Sequence, residues 1–242
     1  MKIKPAHLYA PKSTLGLKRL LLSLNRDLDY VKRDIQFNGN YGMLFKHSIS
    51  AYSNQLTNIE IATLFLEDRR FFTHYGFELR SFMRAFKRYA LQGSLNGMST
   101  IDQQVIRISL GRYEKSVFRK LNEITLAIFL NLHVSKRRIF DYYIHNAYLG
   151  YRIEGCEVAS NKIFAKPAAQ LNEAQAAFVA SLFPLPFPSS VWEAYAVHPC
   201  YPFSDPSEIL DFANDYAPRW AARMSYRMKI ALTSYDRMPR SL

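Results

Sequence analysis

The sequence predicts a mostly helical globular fold, on three observations. Apolar residues recur at three- and four-residue steps along most of the chain. Ser, Thr or Asn stand where these runs begin and Gly where several of them end. No convincing run of alternating strand residues is present. A chain of 242 residues is long enough for one large domain with a real core, or for one with a small appended lobe. With 49% hydrophobic and 14% aromatic residues and only nine glycines, disordered and repetitive classes are excluded. The expected organisation is an N-terminal amphipathic helix and lead-in over 1–50, a core over 51–190, and a C-terminal Pro/aromatic loop and basic helix over 191–242 that pack on the core.

The elements follow in order. From Ser13 to Val31, Leu15, Leu17, Leu20, Leu21, Leu24, Leu28 and Val31 recur among Lys18, Arg19, Arg26 and Asp27, which is an amphipathic helix. It either packs on the body or lies in a lipid interface. Thr57 to Phe72 reads as a helix capped by Thr57 or Asn58 with Glu60 as capping partner, stopped by Tyr75-Gly76. Glu78 to Leu91 reads as a helix with a basic face of Arg80, Arg84, Lys87 and Arg88, and Gln92 to Met98 as a loop. Ser99 or Thr100 caps a helix to about Leu110. Helices over Ser116 to Val134 and Ser135 to Leu149 follow, the second closed at Gly150. Gly155 to Phe164 and Leu171 to Phe183 complete the helical body. Pro184 to Pro206 reads as an ordered surface excursion rich in Pro and aromatics, and Pro218 to Leu232 as a basic helix.

Thirty-two Lys plus Arg against twenty Asp plus Glu leave a formal charge of +12, which calls for an anionic partner: nucleic acid, a lipid surface or a phosphorylated substrate. Cys156 and Cys200 stand far apart with no metal-ligand spacing, so a disulfide stays open and a zinc site does not. Ala174 to Trp192 is free of charge, but Pro184, Pro186 and Pro188 make it a helix running into a loop and not a span. Met1 to Leu20 has no apolar stretch of signal-peptide length, so neither export signal nor anchor is evident.

Three segments carry chemistry-bearing side chains. In LEDRRFFTHYG, Leu66 to Gly76, Glu67 follows a long apolar run, which places its carboxylate at the edge of the core. Partial desolvation there raises a carboxyl pKa and suits a general base or acid; the alternative is a surface Glu paired with Arg69 or Arg70. Asp68 adjoins it, and Glu67, Phe71 and His74 share a face if the helix runs on, His74 orienting the loop. In GMSTIDQQVIR, Gly97 to Arg107, the Ser99 and Thr100 hydroxyls and the helix N-terminus suit phosphate, with Gln103, Gln104 and Arg107 extending the donors; otherwise it is a capped helix. Around FRKLNE, Phe118 to Glu123, the residues Lys115, Arg119, Lys120 and Glu123 sit at helical spacing. They form either a salt-bridged surface or a pyrophosphate clamp beside a second carboxylate.

Taken together and in this order, the three segments resemble the peptidoglycan glycosyltransferases, the monofunctional transglycosylases and the polymerising domain of bifunctional penicillin-binding proteins. The resemblance continues through RRIFDYYIHNAYLGY at Arg137 to Tyr151, EGCEVASNKIFAKP at Glu154 to Pro167 and LNEAQAAFVASLFPLP at Leu171 to Pro186, and covers about Asn58 to Pro188. It implies a lysozyme-like helical fold with a large lobe, a smaller membrane-facing lobe and a cleft between them. It also implies polymerisation of lipid II into β-1,4-linked glycan with inversion and release of polyprenyl pyrophosphate. By the same resemblance Glu67 and Glu123 are the catalytic glutamates. Asp68, Phe71, His74, Ser99, Thr100, Gln103, Gln104, Arg107, Lys115, Arg119 and Lys120 are the substrate-binding set. No cofactor is required; a divalent cation, Mg or Mn, bridging the pyrophosphate is the one ion to consider. The implied partners are lipid II, the growing strand, a membrane surface and other cell-wall synthesis proteins, and not nucleic acid. The implied place is the periplasmic, outer face of a bacterial inner membrane, peripherally, by an export route the sequence does not show.

The chain departs from the family pattern at four positions. Asp102 replaces a neutral residue, Arg107 a lysine, Ile108 an asparagine and His145 another asparagine. A planar guanidinium meets phosphate differently from an ammonium. Asp102 is expected to weaken anion binding unless it faces away or helps to hold a metal. These departures define the rival reading, a non-polymerising homologue that binds lipid-linked precursor or glycan and regulates or blocks wall synthesis. Glycan cleavage by one glutamate is a third reading, opposed by the basic clamp.

Overall fold

The computed structural model describes residues 16–44 (side chains from 18 to 38 within this stretch), 55–78, 83, 99–114, 116–199, 201–238 and 240. Its elements in chain order are helices α1 (Gly16–Leu44), α2 (Asn58–Glu67), α3 (Ile101–Leu110), α4 (Val117–Asn131) and α5 (Lys136–Asn146), strands β1 (Tyr148–Gly150) and β2 (Ile153–Glu154), and helices α6 (Cys156–Phe164), α7 (Glu173–Ser181), α8 (Ser189–Tyr195), α9 (Pro206–Tyr216) and α10 (Pro218–Leu232). The protein is mostly helical, as expected. Nearly all of the helix expected over Glu78 to Leu91 and of the loop to Met98 lies outside the described residues, as do Lys115 and Cys200. Two compact units interleave along the chain, Met1–Tyr41 with Phe71–Tyr143 and Gly42–Arg70 with Ile144–Leu242.

In the first unit, α1 buries Leu28, Val31 and Ile35, the core stripe of its amphipathic pattern. Between them on that side, Asp34 ties three helices together: Ser109 of α3 donates to it at 2.7 Å, and the Tyr142 hydroxyl of α5 also donates to it. Burial, then the Asp34 carboxylate, push the Tyr142 hydroxyl well above the usual tyrosine range. Arg112, just past α3, holds Asp27 of α1 through both guanidinium nitrogens, at 2.6 and 3.0 Å. Phe71 is 1% exposed and meets Phe72 and Phe140.

The turn that follows Phe71 needs a glycine. Gly76 has φ +80°, and a Cβ there would lie 2.5 Å from the Ala127 carbonyl, in the middle of α4. Only a residue without a side chain lets these two backbones approach so closely.

The second unit is built around α7. Its residues Gln175 to Ser181 are all buried, and the alanines among them let α2 and α10 pack close on either side. Both α2 and α7 start with reciprocal caps. The Thr57 N–H donates to Glu60 at 2.7 Å, as the sequence predicted, and Asn172 and Gln175 exchange bonds at 2.8 and 3.3 Å.

Four expectations are corrected. The helix from Thr57 ends at Glu67 and does not reach Phe72. Asp68 leaves the helix with φ −159° and ψ 82°, and a single 3-10 turn, Phe71–Thr73, follows, so Glu67, Phe71 and His74 do not share a helical face. The helix from Ser135 ends at Asn146; Tyr148–Gly150 then pairs antiparallel with Ile153–Glu154, a hairpin too short to leave an alternating pattern. The stretch from Pro184 is not a surface excursion, because Phe187 and Tyr195 are buried and Phe187 packs on Phe178, Trp192 and Trp220. The Tyr195 hydroxyl donates to Ile163 at 2.8 Å and accepts from the Phe203 N–H at 3.0 Å, and burial pushes its pKa up to about 12. Finally, α9 is an additional helix, capped by Asp205 with Pro206 in its first turn.

Two glycines separate conformation from contact. Gly111, the left-handed cap of α3, has nothing within 4 Å of an added Cβ. Gly111→Ala should therefore cost only about 1–2 kcal/mol from its left-handed backbone. Gly76→Ala adds a clash with α4 and should cost about 2–5 kcal/mol, read as a larger drop in the urea midpoint.

Candidate active site

Helices α3 and α4 run together in the first unit and place a group of charges between them. Thr100 caps α3, accepting from the Gln103 N–H at 3.4 Å, and Ser116 caps α4, accepting from the Arg119 N–H at 3.0 Å. Arg107, on the last turn of α3, meets Glu123 of α4 in a two-point contact, Nε to Oε1 at 2.9 Å and one terminal nitrogen to Oε2 at 3.1 Å. Arg119, one helical turn before Glu123, donates to the same Oε1. The Lys120 ammonium is 3.9 Å from Oε2. Glu123 is 3% exposed, so one buried carboxylate gathers three cations.

Ser99 and Gln103 complete the group. Arg107 and Lys120 both donate to the Ser99 hydroxyl, at 3.2 and 2.7 Å, and Lys120 donates to Gln103 Oε1 at 2.6 Å. Gln103 spends its amide N–H on the Gly76 carbonyl at 3.2 Å, beside the Thr100 hydroxyl at 3.0 Å. Burial pulls the Lys120 ammonium down to about 8, with Arg107 and Arg119 in the same direction and Glu123 opposing. Two positive charges are left uncompensated here, beside a shallow recess lined by Arg107, Arg112, Arg119, Asn122 and Glu123. The arrangement suits a phosphorylated anion. A divalent cation does not fit against Glu123, because both carboxylate oxygens already accept from guanidinium groups and a third cation stands nearby.

Asp102 faces away from this group. It is fully buried on the other side of α3, where Lys136 donates to both of its oxygens at 2.9 Å and Asn131 to one at 2.8 Å. His74 Nδ1 lies 3.8 Å from it. Burial pushes the Asp102 carboxyl above the usual range, against Lys136, Asn131 and His74, which favour the charged form. The expected weakening of an anion site therefore does not arise. Neither Lys136 nor Asn131 was singled out from the sequence. Nothing local pairs them with a residue some thirty positions upstream, and Lys136 merely opens a basic run.

The remaining candidates divide by what they touch. The Thr100 hydroxyl is spent on the cap and on Gly76, and so supports the site from inside the core instead of facing a ligand. Gln104 does not join Ser99 and Lys120; it accepts from the Tyr143 hydroxyl at 3.0 Å. Phe71 is a core residue, with the Lys136 ammonium 4.2 Å above its ring and His74 edge-on at 6.2 Å. Ile108 and His145 are half-buried.

The other candidate acid belongs to the second unit. Glu67 ends α2 with its side chain 11% exposed, and its partner is Arg227 of α10, which donates to Oε1. Of the two expected neighbours, Arg69 lies over the Phe65 ring at 3.6 Å and donates to the Phe65 carbonyl at 3.1 Å. Asp68 is buried at the C-cap of α2. Arg227 was missed because a contact across 160 positions leaves no local pattern; the basic composition of its helix was the only hint.

A family model described as Transglycosylase matches residues 39–198, well over half of the chain. The chain is 33% identical over 148 residues to a protein of Thiobacillus denitrificans named biosynthetic peptidoglycan transglycosylase, covering 61% of this chain and 64% of that one. It is equally similar over 150 residues to a protein of that name from Pasteurella multocida, covering 62% and 61%. It is 36% identical over 140 residues to penicillin-binding protein 1A of Clostridium tetani, covering 56% of this chain and 18% of that one. The chain thus spans less than two thirds of the length of these relatives.

The charge group sets a titration test. By NMR the Lys120 ammonium should titrate near pH 8, charged below and neutral above. Glu123→Gln removes the negative charge that favours its charged form, so the midpoint should move lower. The same substitution leaves two partly buried guanidinium groups without their anion and should lower stability in urea unfolding, by up to about 3 kcal/mol.

Proposed function

The chain belongs to the transglycosylase family, and on that premise we propose that it is a peptidoglycan glycosyltransferase that polymerises lipid II into β-1,4-linked glycan. The observation that carries this reading is the cluster of Arg107, Arg119 and Lys120 on Glu123. A neutral glycan has no use for two uncompensated positive charges, whereas a sugar pyrophosphate does.

In the proposed reaction the acceptor 4-hydroxyl oxygen attacks the donor's anomeric carbon from the face opposite the pyrophosphate. Its proton passes to the Glu67 carboxylate. The bond from the anomeric carbon to the pyrophosphate oxygen breaks, and the electron pair leaves with polyprenyl pyrophosphate, so configuration inverts. Arg107, Arg119 and Lys120 stabilise the charge that grows on the departing oxygens, and their amides and hydroxyl partners hold them in place beforehand. Glu123 acts as a positioning residue for the cations. No step requires a metal held by Glu123.

A lipid surface is the proposed setting, at the periplasmic face of a bacterial inner membrane. No described helix is long and apolar enough to cross a membrane. What supports contact with lipid is an exposed apolar stripe on α4 and just after it: Val117 at 79%, Phe118 at 63%, Leu121 at 59% and Leu132 at 66% exposure, with Ile128 and Phe129 between. The helix that carries Arg119 and Lys120 thus also presents apolar side chains to the outside.

The departures at Ile108 and His145 favour a second reading, a homologue that binds precursor without joining it. Labelled lipid II offered in detergent or vesicles separates the two. Strands of polymer from the wild type, with a rate about 10²–10⁴ lower for Glu67→Gln, are expected for the polymerase. Precursor binding without strands would instead establish the second reading. Polymerisation should also fall as pH rises through about 8, where Lys120 loses its proton and with it part of the attraction for the pyrophosphate.

A further inference from the structure

The C-terminal segment lies beyond the stretch that matches the family, which ends at residue 198, yet it is fastened along the whole length of α2. At the start of α2, the Leu56 N–H donates to the Arg240 carbonyl at 2.7 Å. The Tyr235 hydroxyl sits between the Asn58 carbonyl at 3.2 Å and the Glu173 carbonyl at 3.1 Å, joining α2 and α7 to the end of α10. Along the middle, Met224 and Ala231 of α10 are fully buried, and the Trp220 indole donates to the Leu185 carbonyl at 3.0 Å. At the far end of α2, Arg227 meets Glu67. Residues 58 and 67 of α2 thus match 235 and 227 of the C-terminal segment. The two run antiparallel, which brings Arg227 to the end of α2 where Glu67 stands.

Arg227 offers Glu67 one of its terminal nitrogens. Its Nε is buried without a hydrogen-bond partner among the described residues. The contact to Glu67 joins a side chain 23% exposed to one 11% exposed, so it is partly screened from water and holds its geometry better than a surface pair.

We propose that Arg227 is a positioning residue for the reaction, holding the Glu67 carboxylate in the orientation from which it takes the acceptor proton. The inference rests on the polymerase reading and adds to it a part supplied by the chain beyond the matched region. Arg227 touches neither the sugar nor the pyrophosphate; it acts through Glu67.

The test is steady-state polymerisation of lipid II by the full chain carrying Arg227→Met, Arg227→Lys, Glu67→Gln or the pair Glu67→Gln with Arg227→Met. Arg223→Met, on the exposed side of the same helix, serves as the control. Misplacing a reacting group costs on the order of 10²-fold. Arg227→Met should therefore lower kcat by about 10–100-fold with KM within about twofold, while Arg227→Lys and Arg223→Met stay near wild type. In Arg227→Ala, which leaves the guanidinium's place open, added ethylguanidinium should restore part of the rate, an effect that a purely structural residue would not show. In the Glu67→Gln background, Arg227→Met should cause no further loss, because the group it positions is gone. Wild-type kcat in Arg227→Met, or an undiminished further loss in the double variant, overturns the proposal and leaves the polymerase reading standing. A wild type that makes no strands overturns both.

Discussion

A buried carboxylate shared by three cations sets the terms for the first unit. Glu123 could not be carried out of water alone; desolvation of an unpaired carboxylate is among the largest costs a fold can meet. Arg107, Arg119 and Lys120 offset it, and each must then be aimed within a few tenths of an ångström. That need reaches outward. Ser99 and Gln103 accept from the cations, Gln103 and Thr100 in turn donate to the Gly76 carbonyl, and Gly76 is a glycine because it rests against the backbone of α4. The loop after Phe71, the start of α3 and the middle of α4 therefore form one hydrogen-bonded assembly, with its positive excess turned to the outside.

Asp102 shows how the same helix carries an opposite charge without harm. An α-helix one turn wide has two sides, and adjacent positions point about 100° apart. Gln103 meets Lys120 and Arg107 meets Glu123, both of α4, while Asp102 faces Lys136 and Asn131, the last residue of α4. The negative charge closes a separate buried pair, which joins α3 to the start of α5 and leaves the anion site its positive balance. This departure from the family pattern is a change of internal support, not of the surface offered to a ligand.

The second unit supports its glutamate differently. Glu67 is not gathered into a cluster but ends a helix that is capped at its start, packed on α7 and held along its side by α10. The two glutamates of the family pattern therefore have different structural characters. Glu123 is consumed by its partners, whereas Glu67 receives at Oε1 a guanidinium from the C-terminal segment. That difference is what assigns them different parts in the proposed chemistry, one organising cations and the other accepting a proton.

Much of this was legible in order along the chain. The caps at Thr57 and Thr100, the helix over Pro218 to Leu232 and the helical spacing of Arg119 to Glu123 are all interactions within a few residues, and periodicity and capping report such interactions directly. The end of α2 at Glu67 was not legible, because an apolar pattern runs on through Phe71 and Phe72 and only tertiary packing assigns those rings elsewhere. The burial of Phe187 and Tyr195 was hidden for a similar reason: a proline-rich aromatic stretch reads alike whether it covers a core or forms one. The sequence by itself determined most of the helices, though not α8 and α9, and which groups could bind an anion, since both follow from local spacing. Tertiary structure alone decided that Asp102 belongs to Lys136, that Gln103 and not Gln104 meets Lys120, and that Glu67 belongs to Arg227. Each is a choice among partners equally available by composition, and the choice is made by which helix faces meet.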